Sequence, residues 1–158
     1  MSATRLPAGF HSLTPQLAVD GADRAIEYYK LAFGAELLRR HEGPGGKVAH
    51  ALLRIGDSVL MVNDAFPEWG SHAPYENLSP CTLHLYVDDA DETFARAVAA
   101  GAKVTMPVQD TFWGDRHGEL LDPFGHRWAV AACVDEMTPQ QLERAAEEAM
   151  RRMRAGDD

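Results

Sequence analysis

Few side chains in this sequence combine acid–base or anion-gripping chemistry with a pattern that could aim it. Of seven histidines, His50 and His84 fall in the runs AHALLRI and TLHLYV, where strand alternation would point each at one face. Imidazole titrates near neutrality, so either could serve as a general acid or base. The plainer role for a lone strand histidine is a hydrogen-bonded wall residue. Arg116, in FWGDR, could hold a carboxylate or phosphate through its planar fork; pairing with Asp110 or Asp115 competes with that use. Phe112 and Trp113 beside it offer rings to stack on a flat ligand, or simply to plug a barrel mouth. His11, His41, His72, His117 and His126 have no constellation behind them.

Other chemistries lack their signatures. No GxSxG is present, and Cys81 has no neighbouring base. Cys81 and Cys133 lie far apart without CxxC or histidine spacing, so neither zinc nor a disulfide framework is expected, and both should be buried thiols. The loop EGPGGK joins two strands and opens no helix, which removes it as a phosphate loop. A net charge of −9 argues against nucleic acid and anionic membranes as partners. No apolar run could span a bilayer, and MSATRLPAGFHS lacks a signal peptide's apolar stretch, so a cytoplasmic protein is expected. Its 158 residues, 46% hydrophobic and 25% charged, suit a single domain spanning 1–158.

The elements that must position these side chains come twice. LAVDGADRAIEYYKLAFGAE, from Leu17, and LYVDDADETFARAVAAGAK, from Leu85, share L-x-V-D-x-A-D, a helix-period segment and a closing A-x-G-A. Such a repeat marks duplicated supersecondary units. In the first, Thr14 to Val19 reads as a strand, and Asp20 or Asp23 as the cap of a helix that Gly34 stops. A strand from Ala35 to His41 and a hairpin turning at Gly56-Asp57 follow. The second unit repeats the order: a strand at Thr82 to Val87, a helix at Ala90 to Ala100, a strand at Lys103 to Val108, then a hairpin. That hairpin turns at Asp122-Pro123-Phe124-Gly125, after which Trp128 and Val130 should enter a core, while Ala129 and Ala131 leave room on the other face. The fold class is therefore α+β: two βαβββ units, about 12–64 and 81–134, joined by a Pro-punctuated connector at 65–80. A C-terminal helix, about 138–155, begins at the Thr138 cap with Gln141 three residues on, and carries an apolar stripe including Leu142 and Met153.

Paired βαβββ units with AIEYYK-x-AFGA, the GDSV hairpin and DPFGHRW resemble the vicinal oxygen chelate superfamily, which holds glyoxalase I, bleomycin-resistance proteins and extradiol dioxygenases. FWGDR, DPFGHRW and TPQQLERA are similar to its PhnB-like branch. The resemblance implies a curled mixed sheet around a cup-shaped pocket, built from units of one chain or of swapped chains in a homodimer. It also implies four metal-ligand positions, which fall here on Thr14, Met61, Thr82 and Ala129, at matching offsets of 68. None of these is a competent ligand for a divalent ion. No metal and no cofactor are therefore expected.

Alternation then gives the lining of the cup. Gln16, His50, Leu52, Met61 and Asn63 should face it from the first unit, and Thr82, His84 and Tyr86 from the fifth strand. A regular ladder across Asp122 to Gly125 adds Arg116, Gly118, Leu120, Arg127, Ala129 and Ala131, with Phe112 and Trp113 at the mouth. Such a pocket, apolar with a few orienting polar groups, suits a small molecule. The leading reading is a protein that binds or sequesters a flat or aromatic compound. The alternative is a glyoxalase-type lyase or isomerase using His50 or His84 with Arg116.

Overall fold

Gly21 and Gly34, with φ of 96° and 67°, bracket the first helix and fold the first unit back on itself. The computed structural model describes residues 5–76 and 78–156. Residues 1–4 of the N-terminal stretch, Asn77 of the connector and the last two residues lie outside them. The first unit runs β1 (Gln16–Val19), α1 (Ala22–Phe33), β2 (Glu36–Glu42), β3 (Val48–Ile55) and β4 (Ser58–Asp64). The second runs β5 (Thr82–Tyr86), α2 (Ala90–Ala99), β6 (Lys103–Asp110), β7 (Asp115–Leu121) and β8 (Arg127–Cys133), before α3 (Pro139–Ala155). Each unit forms its own four-stranded mixed sheet, β1-β4-β3-β2 and β5-β8-β7-β6, with only the first pair of each parallel. The βαβββ repeat and the α+β class are as expected. The sheets remain open.

The cap of α1 comes from elsewhere in the chain than the sequence pattern implies. Neither Asp20 nor Asp23 caps it; Asp23 instead pairs with Arg40 at 2.8 and 2.9 Å. The N–H groups of Gly21 and Ala22 donate to Asp64 at the end of β4, at 3.1 and 2.8 Å, and the same carboxylate accepts from Val48 at 2.7 Å. One buried acid thus satisfies the orphan donors of a helix and pins two strands. In the second unit the cap is local, from Asp89 to the Glu92 N–H.

The core lies on the helix side of both sheets. Ala25, Ile26, Tyr29 and Phe33 of α1 meet Phe94 and Ala97 of α2, with Trp128 and Val130 beneath them. Rings of Phe33 and Trp128 approach to 4.4 Å between centroids. Polar bonds cross between units inside this layer. Tyr28 donates to the Ala97 carbonyl, Arg96 to that of Ala32, and Tyr29 to Asp122 at 2.7 Å. Asp122, 3% exposed, also accepts from Trp128 Nε1 and from the N–H groups of Phe124 and His126. Burial, and then the Asp122 carboxylate, hold the Tyr29 phenol well above its ordinary range.

Three expectations are corrected. The Asp122 N–H donates to the His126 carbonyl at 2.8 Å, so only Pro123, Phe124 and Gly125 (φ 91°) form the reversal. The ladder therefore sets Leu121 opposite Arg127, Glu119 opposite Ala129 and His117 opposite Ala131. That one-residue slip turns every β7 side chain to the other face. Leu120 is core, Arg116 reaches α2, and a Cβ on Gly118 would lie 2.8 Å from Phe94 and Val108 side chains. The second correction is the pairing of Arg116, which goes chiefly to Asp91 and also to Asp110, leaving Asp115 free for other donors. Third, both cysteines are exposed, because Cys81 precedes β5 and Cys133 ends β8, where neither sheet covers them.

Candidate functional site

The face of β8 that carries Ala129 and Ala131 answers what their small side chains leave room for. On one side, β5 places His84 opposite Ala129 and Tyr86 opposite Ala131. On the other, β7 places Glu119 opposite Ala129 and His117 opposite Ala131. Strands lie about 4.8 Å apart, so the two banks rise roughly 10 Å from one another over a floor of methyl groups. Above that floor the His84 and His117 rings stack at 5.6 Å between centroids, His84 lies 4.9 Å from Tyr86, and Trp113 meets His117 edge-on at 5.6 Å. These rings cover the floor, where Ala129 is 1% and Ala131 0% exposed, while Tyr86 at the rim is 59% exposed.

One carboxylate holds the aromatic walls. Asp115, 4% exposed, accepts from Tyr86 Oη at 2.7 Å and Trp113 Nε1 at 3.0 Å through the same oxygen. The bond to Asp115 raises the Tyr86 phenol above its ordinary pKa, with desolvation and charge adding to it. At the other end, Arg127 donates to Glu119 at 3.4 Å, and Glu119 lies 3.8 Å from His117 Nε2. His117 is 5% exposed, and its Nδ1 has no hydrogen-bond partner among the described residues. A buried imidazole nitrogen without a partner is a cost that the fold itself does not explain.

Thr82, His84, Tyr86, Trp113 and Ala129 are thus gathered at one face, with Phe112 packed edge-on against Trp113 at 4.9 Å. Arg116 is not there. It lies on the helix side, where Asp91 and then Asp110 raise its pKa and occupy its fork. His50, Leu52, Met61, Asn63 and Gln16 belong to the first sheet. The β3–β4 register sets Leu52 opposite Met61 as expected, and Gln16 sits beside Met61. Gln16 donates to Asn63 at 3.0 Å, and Asn63 donates to the Asp64 carbonyl and to Ser71 of the connector. The Asn63 amide is thereby spent on holding the connector to β4. His50 stands beside His41, at 6.4 Å between centroids. Burial first, then Arg39 and His41, lower its pKa.

Sequence reasoning missed Asp115, His117 and Glu119. Their signal is the alternation D-x-H-x-E in DRHGE, which puts three polar side chains on one strand face. A cavity of about 490 Å³ lies between the units, lined by residues including Leu13, Ile55, Leu60, Leu83, Leu85 and Trp128 together with Thr82 and His84. It offers mainly apolar walls and none of the β7 groups.

The model of the Glyoxalase/Bleomycin resistance protein/Dioxygenase superfamily matches residues 9–130. The chain belongs to that superfamily. It is 42% identical over 138 residues to an uncharacterized protein of Mycobacterium tuberculosis, covering 85% of this chain and 81% of that one. Protein YjdN of Escherichia coli is 30% identical over 147 residues, covering 80% and 98%. Among solved structures, TioX from Micromonospora is similar with 31% identity, a TM-score of 0.61 and coverage of 78% and 98%. A PhnB protein from Bacillus cereus shares the fold at 18% identity, with a TM-score of 0.60 and coverage of 77% and 99%.

For the glyoxalase superfamily a divalent metal is an implied group, and the residues present do not fit one. Thr14, Met61, Thr82 and Ala129 supply hydroxyls, a thioether and a methyl where carboxylates or imidazoles would be needed. Among the described residues, no cluster of three or more His, Cys, Asp or Glu could hold an ion. The polar groups that this sheet face carries instead are His84, His117 and Glu119.

Proposed function

We propose that this protein binds a small, flat organic molecule over the Ala129–Ala131 trough, as a cytoplasmic homodimer. The observation that supports this reading is the trough itself: a methyl floor, imidazoles on both banks, and aromatic walls fixed in advance by Asp115. Rings held by a buried acid lose little freedom when a planar ligand stacks on them, which favours binding. The outer edge of β5 supports a second copy. TLHLY carries neither charge nor proline, whereas the edge strand β2 has four charged residues and β6 has Pro107.

Ala129→Leu tests the site, because the longer side chain fills the floor between His84 and Glu119. A panel of planar aromatic acids, amines and neutral compounds is screened by calorimetry against the wild type and this variant. Compounds that bind the wild type should lose at least about tenfold affinity in the variant, the scale of a filled apolar subsite. Equal binding to both would remove the trough from the site.

A second reading is a lyase or isomerase, with His84 rather than Arg116 beside the reacting atoms. It is favoured by the row Arg127–Glu119–His117, which lies beside the His84 imidazole, a side chain able to act as a general acid or base. His84→Ala separates the two. Turnover lost with affinity kept assigns catalysis, and a ligand bound but never converted assigns binding.

A further inference from the structure

One patch of the first sheet is made by an irregularity in its ladder. Leu37 stands opposite Leu53 on the helix side, and a regular strand would put Arg39 and His41 on that side too. The register instead shifts by one residue at Leu38. Arg39 therefore stands opposite Leu52 and His41 opposite His50, on the face away from the helices. Leu38, the extra residue, is left exposed. Bulges of this kind re-aim side chains.

Three basic side chains are thereby gathered without an acid. The His41 and His50 rings lie 6.4 Å apart between centroids, and Arg39 is two residues, about 7 Å, along β2 from His41. The other strand arginines, Arg40, Arg54, Arg116 and Arg127, are each paired with a carboxylate. Among the described residues Arg39 has no such partner. Glu36, on the same face, is taken by Arg54, and Glu42 acts on Arg40. Neighbouring strands and the connector add only neutral groups: Met61, Gln16, and Asn63 bonded to Ser71. No opposite charge answers His50 either, since burial, then Arg39 and His41, hold its half-buried imidazole below its ordinary pKa.

Like charges set opposite one another on a sheet are destabilising, and solvation alone gives no reason to turn a strand so that they meet. An oxyanion gives one. Arg39 offers a planar fork of N–H donors, and each imidazole offers one N–H when neutral and two when protonated. We propose that Arg39, His41 and His50 bind a tetrahedral oxyanion, a phosphate- or sulfate-type group, on the first sheet. The assignment does not depend on the reading of the Ala129–Ala131 trough, which lies on the other sheet.

Histidine NMR on the full-length chain reads this site directly. It is titrated over about pH 5 to 8 in sodium chloride, and again in sodium sulfate at equal ionic strength. Bound sulfate favours the protonated imidazole, so the His50 pKa should rise by at least about one unit over its value in chloride. Arg39→Gln should weaken sulfate binding at least about tenfold, the scale of a lost charge-assisted hydrogen bond. Arg151→Gln, which removes the same charge from exposed α3, should respond as the wild type does. An unmoved His50, or a shift that never saturates, overturns the proposal. A shift that survives Arg39→Gln, or that Arg151→Gln weakens equally, marks an adventitious ion only and also overturns it. Calorimetry near neutral pH then compares inorganic phosphate with phenyl phosphate. Tighter binding of phenyl phosphate assigns the oxyanion to one end of a larger ligand, equal binding assigns a free anion, and binding of neither overturns the site.

Discussion

Replacing Asp115 with alanine should loosen the trough before it touches the rest of the fold. The carboxylate accepts two side-chain hydrogen bonds, from Tyr86 at 2.7 Å and Trp113 at 3.0 Å. Bonds to a charged group contribute about 1.5–3 kcal/mol each. Tyr86 is 59% exposed and can turn to water, so its bond counts at or below the low end. The sum is about 2–3 kcal/mol, a sizeable part of the 5–15 kcal/mol typical of a domain. Urea unfolding of wild type and variant measures it directly. A second readout follows from the raised pKa of the Tyr86 phenol. Its neutral form is favoured in the folded state, so the contribution is whole below the unfolded value near 10 and fades as pH rises through the higher folded value. In Asp115→Ala the phenol should titrate closer to its ordinary value by alkaline difference spectroscopy, and the alkaline loss of stability should shrink. A stability change below about 0.5 kcal/mol together with an unmoved Tyr86 titration would refute the idea that this acid organises the walls.

Asp122→Ala removes the acceptor of two buried side-chain donors, Tyr29 and Trp128, and of two backbone N–H groups. It should cost about 3–5 kcal/mol in urea unfolding, with Tyr29→Phe costing distinctly less because only one donor is lost. His50 should titrate below 6.5 by NMR, since burial, then Arg39 and His41, disfavour its charged form. With the folded value depressed, its contribution is complete above pH 6.5 and is lost as pH falls through the folded value. A His50 titration above 6.5 would contradict this placement beside His41.

Much of the fold was legible because the chain writes its unit twice. L-x-V-D-x-A-D and the closing glycine located both helices, and the Gly56-Asp57 turn placed Leu52 opposite Met61 as observed. What could not be read depended on single residues acting at long range. Asp64 caps a helix 42 residues away, so the local candidates Asp20 and Asp23 misled. The β7 face hung on whether Asp122 belongs to the turn or to the ladder, a choice settled by one bond to the His126 carbonyl. That choice exchanged Arg116 for His117 and Glu119, and so changed the chemistry of the candidate site. The sheet face on which His84, Tyr86 and Ala129 lie could be read because it needed only alternation and the parallel β5–β8 pairing.

His117 carries the sharpest conflict between folding and use. Its ring is 5% exposed, its Nδ1 meets no partner among the described residues, and its Nε2 lies 3.8 Å from Glu119, beyond a hydrogen bond. An unsatisfied buried nitrogen costs about 1–3 kcal/mol, whereas an apolar side chain of similar size costs nothing of that kind. His117→Leu should therefore leave unfolding stability unchanged or raise it by about 1 kcal/mol. Ligand binding, or turnover if there is any, should fall in the same variant. A leucine variant that is clearly less stable would mean that the imidazole is satisfied by the fold and is kept for structure. One that is more stable and still binds normally would mean that neither demand explains it. Loss of function with gained stability is the outcome that the proposed binding reading expects, because a polar group held at a cost beside the buried Ala129–Ala131 floor would take its partner from a ligand.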